Sequence, residues 1–191
     1  MIGDGDASVW RFEIIALLAG PSGWYDQNKL RIGRFYQTWF LRVTDNKEKT
    51  FSPEVIERAD TAVYTEMEYR NPCAVLGRML LPRLGQSAGK FAYAQSAVDM
   101  ARIGCALERY RLAHGDYPEA LAPLAPQFIE QVPHDVIGGE PLKYHRTDDG
   151  QFVLYSIGWN EKDDGGVVGY RSGSKTPDIA SGDWVWRYPA K

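Results

Sequence analysis

No stretch of this 191-residue chain approaches the roughly 20 consecutive apolar residues that a membrane-spanning helix requires. Its most apolar short run, Ile14 to Gly20 (IIALLAG), follows Asp4, Asp6 and Glu13 rather than a basic leader, which argues against a signal peptide. The expectation is a chain that is soluble as it stands, or one whose membrane segment lies outside this sequence. Cysteine is scarce: only Cys73 and Cys105 occur, too few to make a zinc site by themselves. Spacing leaves a disulfide between them open, beside the plainer reading of two buried thiols. An excess of one charge is also lacking. The formal net charge is −3, which gives no push towards nucleic acid. Nucleophile elbow, P-loop and dinucleotide fingerprint are absent, and Gly138-Gly139 and Gly165-Gly166 read as turn glycines rather than phosphate cradles. No fixed-period repeat or low-complexity tract appears.

What is present is ordinary globular composition with many aromatics, six Trp and eleven Tyr among them, enough to build a substantial core. The most regular stretch is Phe91 to Pro118, FAYAQSAVDMARIGCALERYRLAHGDYP. Apolar or small residues at Phe91, Ala94, Val98, Ala101, Cys105 and Leu112 recur at helical spacing, and a second stripe runs through Met100, Ile103, Leu107 and Tyr110. Two stripes make a wide apolar face, so the helix is expected to be wrapped by other elements. Gly104 interrupts it at a cost of about 1 kcal/mol relative to Ala, which suggests close approach by a neighbour. Arg109, Arg111 and His114 suit the negative end of the helix dipole, and Gly115 suits its C-terminal cap.

Before this helix, residues 1–18 carry one apolar helical face (Val9, Phe12, Ile15, Leu18), and Gly20 to Gly23 break it. Trp24 to Val43 predicts a helix with a packed and a basic, solvated face. Thr44 to Ser52 reads as a charged loop. Ser52-Pro53 then starts a helix expected to reach about Arg70. Cys73 to Leu81 is a short apolar segment that Pro82 should stop, and Gly85 to Gly89 suggest a hinge. After the central helix, Pro118 to Gln131 predicts a second, shorter helix with Leu121, Leu124, Phe128 and Ile129 inward. Pro133 to Pro141 is a turn-rich linker. Leu142–Arg146 and Gln151–Ile157 predict a hairpin across Asp148-Asp149-Gly150. Gly158 to Gly182 is a long loop, and Asp183 to Tyr188 a closing strand whose Trp184, Trp186 and Tyr188 pack on the helix.

The run LERYRLAHGDYPEAL, the PHD turn, PLKYHRTDDGQFVLYSIGWNEKDDGG and DWVW together resemble the soluble domain of the major pseudopilin of type II secretion systems, within the type IV pilin superfamily. The resemblance covers residues 91–188. It implies a long helical spine wrapped by a short sheet, and a calcium ion held by the loop after the Leu-Tyr-Ser strand. The prepilin-peptidase site and apolar membrane helix that open family members have no counterpart here, and residues 1–84 are a segment the family lacks.

Calcium takes six to eight oxygens on a backbone that turns sharply. Ser156, Asn160, Asp163, Asp164, Asp178 and Asp183 supply such oxygens, with the Leu154 carbonyl, while Gly165 and Gly166 permit the turn. Ser156 aligns directly with the family's ligand; the Asp positions align loosely because the loop length differs. His114, His134 and His145 fall in three different elements with no zinc-protease spacing. The expectation is therefore an α+β protein: a helical N-terminal segment (1–84), then a pilin-like domain (85–191) of a long helix on a small antiparallel sheet. By resemblance it is a non-catalytic protein of the cell envelope or periplasm with a calcium-stabilised loop, whose partners are other protein subunits and not nucleic acid. The alternatives are a soluble binding module on the same fold and, third, a hydrolase.

Overall fold

The computed structural model describes residues 21–68 and 70–188, so the helix expected over residues 1–18 lies outside them. The fold is α+β. Three helices are present among the described residues: α1 (Ser22–Thr38), α2 (Pro53–Glu66) and α3 (Val75–His114). Two small antiparallel sheets and one hairpin accompany them. Contacts gather the chain into two units. Residues 21–43 and 54–86 form the first; residues 44–53 and 87–188 form the second.

In the first unit, α2 repeats its apolar residues at Ile56, Ala59, Val63 and Met67, steps of three and four that define one face. Ala59, Val63 and Met67 bury that face against Phe35 of α1 and Ala74 and Leu81 of the third helical segment. Pro53 occupies the first position of α2, where a missing N–H is harmless. The helix ends at Glu66 rather than near Arg70. Likewise α1 ends at Thr38, and its expected continuation to Val43 is a 3-10 turn, Phe40–Arg42. Buried Asn28 ties the pieces together. Its amide donates to the carbonyls of Trp24 (2.8 Å) and Pro72 (3.2 Å), and its Oδ1 accepts from the N–H of Leu76 (3.0 Å). Leu76 is in the first turn of α3, where backbone donors have no partner inside the helix.

Pro82, expected to stop the segment from Cys73 to Leu81, lies inside α3. A helix-interior proline costs about 3 kcal/mol. Tertiary packing outweighs it: Ala74 and Leu81 are completely buried, and burial of a leucine side chain contributes about 1.5–3 kcal/mol. Gly85, expected at a hinge, is also helical. It accommodates Asp60 of α2, whose Oδ1 would stand 2.6 Å from a Cβ at that position. That Oδ1 is buried with no hydrogen-bond partner, and burial pushes the Asp60 carboxyl above its ordinary range.

The second unit is built on residues 87–114 of α3. Sheet order is β3 (Lys143–Arg146), β4 (Phe152–Ser156), β7 (Trp184–Tyr188), with both pairings antiparallel. In register, Leu154 lies between Tyr144 and Trp186. Side chains alternate across a strand, so Phe152, Leu154 and Ser156 share one buried face with Trp184. Opposite stand Met100, Ile103 and Leu107 of α3, in one cluster with Leu124, Val136, Ile137 and Leu142. Trp186 packs on Gly104, where an added Cβ would stand 3.4 Å from the indole Nε1. The close approach expected from that glycine is therefore present.

The other stripe of α3 behaves differently from the expectation. Phe91 (69 %), Val98 (54 %) and Leu112 (77 %) are exposed, as are Ala94 and Cys105. The sheet covers one side of the spine only. Cys105 and Cys73 are both free thiols, and the expectation of two buried ones does not hold. Gly115, with φ +92°, caps the helix by donating its N–H to the Arg111 carbonyl at 2.8 Å. Beyond it, buried Tyr117 donates its hydroxyl to Glu108, which also accepts from Arg111 Nη2 at 2.9 Å. Burial, then Glu108, raises the Tyr117 phenol well above its ordinary range.

Three further expectations are corrected. Pro118 to Gln131 is not a helix but a 3-10 turn (Ala122–Leu124) among irregular turns. Pro123 and Pro126 deny it a regular ladder, while Leu124 and Phe128 still reach the core. The charged loop Thr44 to Ser52 holds a hairpin, β1 (Thr44–Asp45) with β2 (Thr50–Phe51), whose turn is closed by Asp45 Oδ1 accepting from the N–H groups of Lys47 and Glu48. The long loop Gly158 to Gly182 contains two strands, β5 (Val168–Tyr170) and β6 (Pro177–Gly182), paired antiparallel.

Two outcomes are expected. Gly104→Leu, which forces a branched side chain into the Trp186 contact, should lower stability by about 1–3 kcal/mol in urea unfolding, with Gly104→Ala near neutral. Asp60→Asn should raise Tm at pH 7. A carboxyl whose folded pKa is raised favours folding below its unfolded pKa and loses that contribution as pH rises through the folded value. The gain should therefore shrink as pH falls through the raised folded value and be gone below the ordinary aspartate range.

Candidate functional site

The loops at the end of β4 are held by two buried aspartates, each serving as acceptor to backbone donors. Asp135 lies in the turn after Pro133. Its Oδ1 accepts from the Ile137 N–H (3.0 Å) and from the Ser156 hydroxyl (2.7 Å), and its Oδ2 accepts from the Ile157 N–H (3.0 Å). The turn is thereby pinned to the end of β4. Burial pushes the Asp135 carboxyl up, opposed by those three hydrogen bonds.

Asp183 follows β6 and precedes β7. Its Oδ1 accepts from the Asp164 N–H at 3.3 Å, and its Oδ2 accepts from Gly166 at 2.6 Å and Val167 at 3.3 Å. Its own N–H donates to the Val167 carbonyl at 2.8 Å. Only glycine suits position 166: φ is +80°, and a Cβ would stand 3.3 Å from Val153 Cγ1. A carboxylate ringed by backbone N–H groups is a strong, charge-assisted arrangement, and here it closes the loop from Trp159 onto β7.

The expected calcium ligands are thus distributed as follows. Leu154 is fully buried in the central strand. Ser156 is fully buried too; its hydroxyl donates to Asp135 and accepts from the Gly158 N–H at 3.2 Å. Asn160, Asp163, Asp164 and Asp183 belong to one loop system. Asn160 Nδ2 donates to Asp164 Oδ2 at 3.0 Å, and Lys162 Nζ stands 3.0 Å from Asp164 Oδ1, so Lys162 first and Asn160 second hold that carboxyl below its usual range. Asp163 Oδ1 accepts from the Tyr155 hydroxyl at 3.1 Å and the Gly165 N–H at 3.0 Å, and its Oδ2 is 3.9 Å from Lys143 Nζ. Burial first, and that bond to Asp163 second, push the Tyr155 phenol up to about 12. Asp178, in β6, accepts from the Ala180 N–H at 3.2 Å. Among the described residues, no three His, Cys, Asp or Glu side chains gather so that they could hold a metal ion.

Sequence reasoning missed Asp135, reading it as a plain turn residue. The available signal was the pair Val136-Ile137 directly after it. A polar residue beside two residues destined for the core has to be buried with partners. The histidines stay apart. His114 Nδ1 lies 3.0 Å from the Tyr110 carbonyl at the end of α3, His134 Nε2 lies 2.6 Å from the Glu48 carbonyl, and His145 sits edge-on to Tyr155.

No family model, curated protein or solved structure matches this chain.

Asp183→Ala should strand three loop donors and lower stability by about 2–4 kcal/mol in urea unfolding, with Asp135→Ala comparable. Asp163→Ala combined with Asp164→Ala, in metal-free buffer, should lower stability less than Asp183→Ala does, since the lysine partners of both carboxylates are exposed to solvent and screened.

Proposed function

We propose that this chain is a non-catalytic structural subunit of the cell envelope, related to the pseudopilins of type II secretion. The observation that supports this most is the half-clothed spine. A long helix carries a three-stranded antiparallel sheet on one side and leaves an apolar stripe open on the other. An enzyme of this size would use such a scaffold to converge acids, bases or a nucleophile on a cleft. The buried acids of the second unit, Asp135 and Asp183, instead spend their oxygens on backbone donors and a structural serine. No helix of the described residues is long and apolar enough to cross a membrane. Envelope placement therefore rests on the resemblance of residues 91–188. Fractionation of cells expressing the tagged gene product should find it with the envelope or periplasm. Cytosolic recovery together with turnover of a hydrolase substrate would contradict the proposal.

A soluble binding module on the same fold is the second reading, favoured by the same open stripe, and cytosolic recovery without hydrolase activity would select it. Calcium belongs to the first reading as a proposal of its own. Binding requires Asp163, Asp164 and Asp183 to turn from lysine, tyrosine and backbone partners to one ion, with Asn160 beside them. A calcium-binding loop predicts a Tm that rises with added calcium and falls back with chelator, and an Asp163→Ala, Asp164→Ala variant that no longer responds. An unresponsive wild-type Tm discards the ion and leaves the subunit proposal standing.

A further inference from the structure

One piece of the second unit comes from the middle of the first. The chain leaves the first unit after Val43, passes through residues 44–53 of the second, and returns at Glu54. What it inserts is the β1–β2 hairpin, a ladder of only two residue pairs, Thr44 with Phe51 and Asp45 with Thr50. So short a hairpin has little stability of its own in water. Its turn adds strain, because Lys49 stands at φ +53°, in the left-handed region that a side chain disfavours. The hairpin therefore owes its conformation to what holds it from outside.

It is held at its face and at its ends. Within the second unit it lies against residues 134–139. Phe51, its one aromatic side chain, packs on the core cluster that includes Val136 and Ile137. The Phe51 N–H donates to the Val136 carbonyl at 2.7 Å, and Phe51 forms a parallel bridge with Ile137. His134 Nε2 donates to the Glu48 carbonyl at 2.6 Å, and a Cβ at Gly139 would stand 3.3 Å from Thr50 Cγ2. The receiving turn is the one that Asp135 fixes to the end of β4. The ends of the hairpin are fixed by the first unit. Val43 is buried, and Pro53 opens α2, whose Ala59, Val63 and Met67 pack with Phe35 of α1. With both ends fixed, docking brings together groups that are already placed. With α1 and α2 unfolded, the hairpin hangs on residues 54–86 as a flexible tether, and docking costs the entropy of closing that loop.

We propose that residues 44–53 are a strap that couples the two units energetically. The hairpin stays docked on the 134–139 turn while α1 and α2 are folded, and releases it when they open. Such coupling is reciprocal, so undocking loosens α2 in the same measure. The first unit thereby governs the order of the turn whose Asp135 holds the end of β4. The strap does not require the secretion kinship, since its contacts are the same wherever the chain resides.

The test is hydrogen exchange on the full chain, read by mass spectrometry. Val63, in α2, is 1 % exposed, so Val63→Ala should open the first unit and speed exchange in α2 by about tenfold or more. The strap predicts that exchange over residues 132–141 accelerates with it by at least about threefold, while residues 98–107 of α3 stay within about twofold. Phe51→Ala should accelerate exchange over 132–141 and, by reciprocity, in α2; adding Val63→Ala to it should leave 132–141 no faster. A further variant keeps the docking contacts and relaxes only the tethers, with about twelve Gly/Ser residues inserted after Val43 and again after Phe51. In that variant the turn should remain protected, and Val63→Ala should no longer be felt over 132–141. Opening of α2 by Val63→Ala with no change over 132–141 would overturn the proposal. So would acceleration over 132–141 that persists with the relaxed tethers, or a Phe51→Ala chain whose α2 exchanges as in the parent. Uniform acceleration that includes residues 98–107 would show one cooperative body instead of two joined by a strap, and would equally overturn it.

Discussion

Burial of one side of α3 under three strands is the constraint on which the second unit depends. Ile103 and Leu107 are completely buried, and with Met100 they meet Leu154, Phe152 and Trp184 of the sheet. Each such side chain contributes about 1.5–3 kcal/mol of apolar burial. A three-stranded sheet of four- and five-residue strands has little stability by itself; packing on a helix supplies what it lacks. Gly104 sets how closely the two can approach, because Trp186 lies directly over its backbone.

With the sheet seated, the connections become the problem, since loops carry backbone donors that must be satisfied. This chain uses buried carboxylates for that purpose. Asp135 fastens the turn before β3 to the end of β4, and Asp183 fastens the loop after β4 to the start of β7. The Asp183 carboxylate makes three bonds to that loop's backbone. Gly166 lets the backbone reach it, and Lys143 and Lys162 sit beside the outer carboxylates Asp163 and Asp164.

The α+β class, the hairpin across Asp148-Asp149-Gly150 and the stop at Gly115 were legible because each has a local physical cause: alternation, a turn dipeptide and a left-handed cap. What was not legible depended on partners distant in sequence. Pro82 is helical because Leu81 is buried among α1 and α2, which no window around Pro82 reveals. The two stripes of α3 look equally apolar in sequence, and only the sheet's placement distinguishes the buried Ile103 stripe from the open Val98 stripe. For the site, the oxygens of the Asp/Gly loop could be named from composition, but their allegiance to backbone N–H groups could not. Asp135, 21 residues before Ser156, entered only with the fold.

The most direct test of this account is thiol labelling along α3. With Cys73 and Cys105 replaced by serine, single cysteines placed one at a time from position 98 to 107 should react with a maleimide at rates that follow the helix. They should be fast at 98 and 105 and slow at 100, 103 and 107, with a period near 3.6 residues. A flat profile, or rapid labelling at 103 and 107 in variants that remain folded by circular dichroism, would contradict a spine covered on one side by the sheet.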